Sequence, residues 1–521
     1  MPTDTKSDSS VHRLGVETAR RGVVYLVGEV ISSLISLVVL IFLARILESS
    51  SFGIFAIVIA FNTLLGIGGN FGIGAAFRKK LPQIEGKGRQ TNTTLSSGYS
   101  VALILGLVIS LIGIAISGYL ASNIYHIPSM ALALQIASAV VFFTVLYNVS
   151  NAALVGLGRV SEASIANVLY AVVQMVAVFG LVLLGYGVIG AIIGVAISFI
   201  IPSLYELTAM YIKAKVRFVR PQTGEMKGLT LFSIPVIVSF IAVLGAENLA
   251  ILLLGAFAPT LIVGNYNVAY KIGGVIEIIL TSNTFILLPA FAKVFAKKEL
   301  SKKIDRVYNN SLFYTLLFLL PVVFYLVSVA TPLVHLLFGS TYTYAPLYFA
   351  IVAVGYTLGI IGSYAGILII SYGDTRKFMK YQVTAVVIEI GLLLLLTPTF
   401  KALGALAALY IFSPIILDLI YIKALYNQFK FRHRFRQLLN IVVPSIIMLL
   451  LCYYVTGLLQ QSRASIIINL VLVILIYPAL VGTLKGISKK NIDFIRAISK
   501  TYRIGFVANY ILSYAELFVR D

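Results

Sequence analysis

Apolar runs long enough to cross a bilayer recur along nearly the whole chain, separated by short basic segments. Fourteen can be marked, at 22–44, 51–77, 93–119, 129–156, 164–185, 188–212, 229–256, 262–292, 308–331, 341–370, 379–397, 402–422, 439–459 and 464–484. A helix needs about 20 residues to cross a hydrocarbon core ~30 Å thick. In that medium only helices and closed barrels satisfy their own backbone groups. A barrel would show alternating strands of about ten residues, and the sequence has none. Charge is correspondingly scarce: 11% of the 521 residues are charged and 60% are hydrophobic, with a mean hydropathy of +0.99. A soluble domain of this length could not cover its surface with so few charges. The expected fold is all-α, a polytopic membrane protein with 14 transmembrane helices.

The net charge of +21 suggests nucleic acid until the basic residues are placed. With the N-terminus in the cytoplasm, 36 of the 40 Lys and Arg fall on the inner side. Arg45, Lys401 and Arg463 fall outside, and Lys271 alone lies within a span. This asymmetry predicts both termini inside, at the plasma membrane, with no nucleic-acid partner. The polar start "MPTDTKSDSSVHRLGVETARRG" and the long first apolar run do not read as a signal peptide. A single cysteine, Cys452, permits no internal disulfide, and the four histidines have no ligand spacing. No metal or cofactor is expected. There is no phosphate-binding Gly-rich loop with Lys-Ser/Thr and no catalytic set, so no enzyme is expected.

The chain also repeats itself. "SFGIFAIVIA" (51–60) matches "IVGNYNVAYK" (262–271) at an offset of 211, which places Gly53 on Gly264 and Phe55 on Tyr266. Further echoes pair "LVGLGRV" (154–160) with "IISYGDT" (369–375), and "YGVIGAIIG" (186–194) with "FKALGALAA" (400–408). Six spans followed by six, both starting inside, make a parallel repeat. The expected organisation is an N-terminal bundle at 1–212, a basic cytoplasmic linker at 213–228 and a C-terminal bundle at 229–422. Two extra helices follow at 439–484, and then an interfacial tail at 485–521.

Lys271 lies about nine residues into its span, ~14 Å deep at 1.5 Å per residue. A charge there costs several kcal/mol unless it faces protein or water. At 100° per residue, Asn267, Tyr270, Lys271, Gly274, Glu277 and Thr281 share one stripe. Glu247, on the preceding span, is as far from Pro259 as Lys271 is, so the two sit at similar depth. Either they close an ion pair that locks the hairpin, or Lys271 faces a cavity and draws in an anion while Glu247 holds or releases it. Glu277 and Glu247 are the candidate gating or ion-pair residues, and Asn248 is a further candidate contact. Arg45 caps carbonyls or pairs with Glu48, or else it offers its guanidinium fork to phosphate. Glu29, Glu389 and Asp418 are buried hydrogen-bonded carboxyls or coupling groups. Gly66, Gly68, Gly69, Gly72 and Gly74 crowd the inner end of the second span, where they permit close packing or bending.

Several stretches carry a family resemblance. These are Ala44-Arg45-Ile46-Leu47, Phe52-Gly53, the Gly-rich end before Arg78, "IPVIVSF" (234–240), "VGNYNVAYKI" (263–272) and "LLPAFAKVFA" (287–296). Together they resemble the polysaccharide-biosynthesis flippases of the multidrug/oligosaccharidyl-lipid/polysaccharide exporter superfamily. The resemblance implies two pseudo-symmetric six-helix bundles around a V-shaped cavity. It also implies alternating access and a lipid-linked oligosaccharide on polyprenyl phosphate or pyrophosphate as substrate. Membrane lipids are the surroundings, and glycosyltransferases or a polymerase or ligase of the same pathway are the implied partners. Tyr266, Ala269 and Lys271 fit a family pattern. Lys271, Arg45, Asn267, Tyr270 and Asn248 are the candidate substrate contacts. A lipid II-type peptidoglycan precursor flippase, which would carry more cavity arginines, and a cation-coupled drug antiporter of the same superfamily are the alternatives.

Overall fold

The computed structural model describes residues 5–84, 86–240, 245–296, 302–429, 435–501 and 512–519. Among them there is no strand, and most are helical. Among the described residues, nine helical segments are long and apolar enough to cross a membrane. Three of these are 48, 53 and 54 residues long: Val23–Asn70, Val160–Ile212 and Arg376–Phe429. At 1.5 Å per residue each would be over ~70 Å if straight, more than twice the ~30 Å core. Each is broken where the backbone leaves helical geometry: at Glu48 (φ 58°), at Gly185 and Gly187 (φ 91° and 52°) and at Lys401 (φ 51°). These breaks coincide with the short outer loops expected between spans 1 and 2, 5 and 6, and 11 and 12.

The chain divides into two compact units, Met1–Gly264 and Asn265–Asp521. The first contains α1 (Thr5–Asn70), α2 (Ile73–Gln83), α3 (Gly88–Tyr119), α4 (Ala131–Gly156), α5 (Val160–Leu181), α6 (Gly187–Ile212), α7 (Thr223–Phe240), α8 (Ala246–Phe257) and the first turn of α9 (Thr260–Ala296). Its core gathers where α2, α3 and α4 meet. Phe77, Leu95, Val141, Val145 and Val149 are fully buried there, and the hydroxyl of buried Tyr99 donates to Ser150 Oγ at 2.7 Å. A Cβ on Gly98 would overlap the Phe77 ring, so the missing side chain lets α3 pack on that face.

The linker expected at 213–228 splits in two. Residues 213–222 form an irregular strap, and helix α7 already begins at Thr223. The strap hands its backbone N–H groups to α3: Arg217 to Asn92 Oδ1 at 3.1 Å, Val219 to Ser96 Oγ at 2.9 Å and Gln222 to Ser97 Oγ at 3.0 Å. Arg159 holds the strap's start, donating to the Lys213 carbonyl at 2.7 Å. At its far end Lys80 pairs with Glu225 at 2.5 Å, which ties α2 to the first turn of α7.

The second unit holds the rest of α9 with α10 (Lys302–Ser328), α11 (Ala330–Phe338), α12 (Ala345–Leu358), α13 (Ile360–Tyr372), α14 (Thr375–Ala407), α15 (Ser413–Phe429), α16 (Phe435–Leu458), α17 (Ala464–Thr483) and α18 (Lys489–Thr501). Helices α16 and α17, the two expected beyond the repeat, lean on α10. Tyr477 donates to the Leu317 carbonyl at 3.0 Å, and Tyr325 to that of Ile466 at 2.9 Å. At its start, α14 is capped by Asp374, which accepts from the Lys377 amide at 3.3 Å and pairs with its ammonium at 2.8 Å. The hydrogen bond from Lys377 holds the Asp374 carboxyl below its ordinary range. In the tail, α18 packs against α10 and the short helical stretch that begins at residue 512. Ile492 is fully buried, Phe494 stacks on Tyr314 with centroids 5.0 Å apart, and Arg496 bonds Glu516 at 2.8 Å.

The tight fit at Gly98 is testable. Gly98→Val is expected to destabilise the first unit by about 1–3 kcal/mol through overpacking, read as a lower melting temperature of the purified protein. Combining it with Phe77→Ala should recover part of that loss, because the overlapping ring is then gone.

Candidate functional site

Helix α9 presents two unlike faces. On one, Val268, Ala269 and Ile276 are buried, and a Cβ on Gly273 would press into Val352. On the other, Lys271 is exposed, and a Cβ on Gly274 would meet no atom within 4 Å. The Lys271 ammonium lies 5.1 Å from the Tyr270 ring centroid, over its face, a placement that favours a cation. The expected polar stripe is therefore not uniform. Asn267 is buried, Tyr270 is half-buried, and half-buried Glu277 accepts from the Tyr356 hydroxyl at 3.1 Å. The Thr281 side chain lies outside the described residues. Two residues before Asn267, Asn265 accepts from the amides of Tyr344 and Ala345 at 3.0 and 2.9 Å. That bond caps the start of α12 and fixes the height of α9 in its unit.

The remaining candidates lie on other helices. Glu247 and Asn248 are half-buried in the first turn of α8 and belong to the first unit, whereas Lys271 belongs to the second. Arg45 is exposed three residues before the Glu48 break. Glu389 is half-buried on α14. Asp418 is buried on α15, and its carboxylate accepts the Gly362 amide at 2.6 Å, in the first turn of α13. Span 10 is interrupted at Gly359 between α12 and α13, so Asp418 satisfies an amide that the break leaves open.

A polar cluster in the first unit went largely unread in the sequence. Glu29 on α1 accepts from Asn167 Nδ2 at 2.7 Å. Asn167 Oδ1 in turn accepts from the Tyr147 hydroxyl at 2.8 Å and from Asn151 Nδ2 at 2.9 Å. Asn151 Nδ2 also reaches Glu206 Oε1 at 3.1 Å and the Ala163 carbonyl at 3.3 Å, so three acceptors share its two protons. Glu206 is fully buried, and its Oε2 has no hydrogen-bond partner. The cluster thus joins α1, α4, α5 and α6 and holds more acceptors than donors. Glu29, Asn151, Asn167 and Glu206 each lie within about two helical turns of the inner end of their span. That matching depth was the available signal. Treating each carboxyl by itself misses it.

Membrane-crossing helices arranged as two sequence repeats, with polar groups confined to a few interior stations, define a multi-pass membrane transporter fold. Solved structures share it. The structure described as "Lipid II flippase MurJ, inward closed conformation" superposes with a TM-score of 0.70 at 17% identity, covering 88% of this chain and 98% of that one. An inward-facing "multidrug resistance MATE family transporter of the MOP superfamily" gives 0.62 at 17% identity, over 77% and 94%. Residues 42–346 match the family described as "Polysaccharide biosynthesis protein", and the chain belongs to that family. It is 21% identical over 397 residues to the "Probable low-salt glycan biosynthesis flippase Agl15" of Haloferax volcanii, covering 75% of this chain and 80% of that protein.

The polar cluster makes its own prediction. Asn167→Ala removes the bridge between Glu29, which is exposed rather than buried as expected, and buried Asn151, and is expected to destabilise the protein by about 1–3 kcal/mol, the cost of leaving the buried Asn151 amide short of a partner. Glu29→Gln combined with Asn167→Ala should cost less than the two single changes added, because the residues share one bond. Thermal unfolding of the purified variants measures both.

Proposed function

We propose that the protein is a flippase. It carries a lipid-linked oligosaccharide, attached to polyprenyl phosphate or pyrophosphate, from the inner to the outer leaflet by alternating access. The observation that carries this reading is Lys271: an exposed cation on a helix whose other face is packed and oily, beside the open space at Gly274. A phosphorylated headgroup loses much of its hydration on entering a low-dielectric path. An ammonium already stationed there offsets part of that cost. Asn267 and Tyr270 neighbour it on the same helix, Arg45 and Asn248 are the further candidate contacts, and Glu247 and Glu277 are the candidates to gate or shield the lysine. The polyprenyl tail stays in the bilayer throughout. The relative's printed role in glycan flipping and the family assignment point the same way.

Coupling falls to the carboxylates. Glu29 and its neighbour Glu206 belong to a cluster short of donors, which suits uptake of a proton or a cation from the cytoplasm. Asp418 is committed to the Gly362 amide and serves first as a cap. Glu389 is the remaining candidate. Membrane potential acts on any net charge moved, at ~2.3 kcal/mol per charge per 100 mV. The protein works at the plasma membrane with both termini cytoplasmic, the orientation that the basic inner loops favour, alongside glycosyltransferases or a polymerase or ligase of the same pathway.

Lys271→Ala is expected to lower surface delivery of the glycan by about tenfold or more, equivalent to ~1.4 kcal/mol of lost stabilisation, at unchanged protein abundance. Lys271→Arg, which keeps the charge, should retain part of the activity. Export and abundance both at wild-type level in the alanine variant would remove Lys271 from the mechanism.

A further inference from the structure

The repeat seen in the sequence meets itself in space at Gly53 and Gly264. A Cβ on Gly53 would fall on the carbonyl of Thr260, and a Cβ on Gly264 would fall on the carbonyl of Ser49. The offset of 211 that maps Gly53 onto Gly264 also maps Ser49 onto Thr260. Each glycine therefore takes, from the other copy, the carbonyl four residues before its counterpart. The same built Cβ atoms stand 3.0 Å from the Gly264 amide nitrogen and 3.2 Å from that of Gly53. Beside them the Ser50 and Thr260 hydroxyls are 2.7 Å apart. All of these groups lie in the first unit, Met1–Gly264.

We propose that Gly53 and Gly264 are positioning residues whose backbone contact closes the outer end of the transport path, an inference that rests on the transport reading above. The two glycines begin the second and eighth spans, the corresponding helices of the two repeats. They follow directly on the Glu48 break and on Pro259, at the ends that the charge distribution assigns to the outer side. In place of a side chain, each glycine directs a Cα hydrogen toward the opposing carbonyl, a weak C–H···O contact. The adjoining hydroxyl pair is neutral. The contacts described at these glycines are a backbone approach and one hydroxyl pair, both weak, so the seam excludes solvent by closeness without being hard to separate. A transporter that must open and reclose the same seam once per cycle needs that combination.

The test uses the full chain with Cys452→Ser, Ser50→Cys and Thr260→Cys, so that oxidation reports the contact directly. Rapid cross-linking is expected with both glycines in place. The locked protein should deliver no glycan until it is reduced. Gly53→Val or Gly264→Val, added to the cysteine pair, should slow cross-linking about tenfold, because an overpacked valine must push the helices apart. Gly53→Ala is the milder variant, with a smaller slowing and a melting temperature that verifies folding. Equal cross-linking rates with glycine and valine, or undiminished export by the locked protein, would overturn the proposal. Cross-linking needs no substrate. Failure of the unlocked, glycine-containing protein to export a lipid-linked glycan would therefore count against the transport reading, and the cross-linking rates would still decide on the contact.

Discussion

A chain inside a bilayer has no water to which it can pass its backbone N–H and C=O groups, and the architecture follows from that constraint. Every span closes its own hydrogen bonds as a helix. Where a span breaks, something has to take over the groups that are freed. Asp418 does so for the start of α13, and Asn265 does so for α12. These two polar residues answer a break in the backbone rather than a ligand. Lys271 is different, because no break in α9 calls for it and its side of the helix is open.

The same constraint sets how much could be read in advance. Hairpin positions were legible, because a 48- to 54-residue apolar segment cannot cross once. The turns had to fall near Glu48, Gly185–Gly187 and Lys401, and they do. The repeat was legible as an offset, but its physical consequence was not. Nothing in "SFGIF" or "IVGNY" says that the two glycines touch. Asn167 was illegible for another reason. One asparagine in an alanine- and valine-rich helix looks like any interhelical hydrogen bond, and its partners come from two other spans. The start of α7 at Thr223 was hidden because a basic, Pro-containing stretch reads as loop until its neighbours are known.

Lys271 shows where pattern and packing part company. Helical periodicity places Asn267 and Glu277 on the stripe with it, but tertiary contacts bury the first and engage the second with Tyr356. Periodicity reports direction around an axis. Accessibility depends on what the neighbouring helices leave uncovered, and here they leave Lys271 and Gly274.

The strap at 213–222 carries an evolutionary corollary. It joins two copies that began as equals, and its donors are backbone amides that any residue but proline supplies. The acceptors are specific side chains: Asn92, Ser96 and Ser97. Natural selection acting on this connector would therefore leave its imprint on a helix more than a hundred residues upstream, while the connector's own letters remain free to drift.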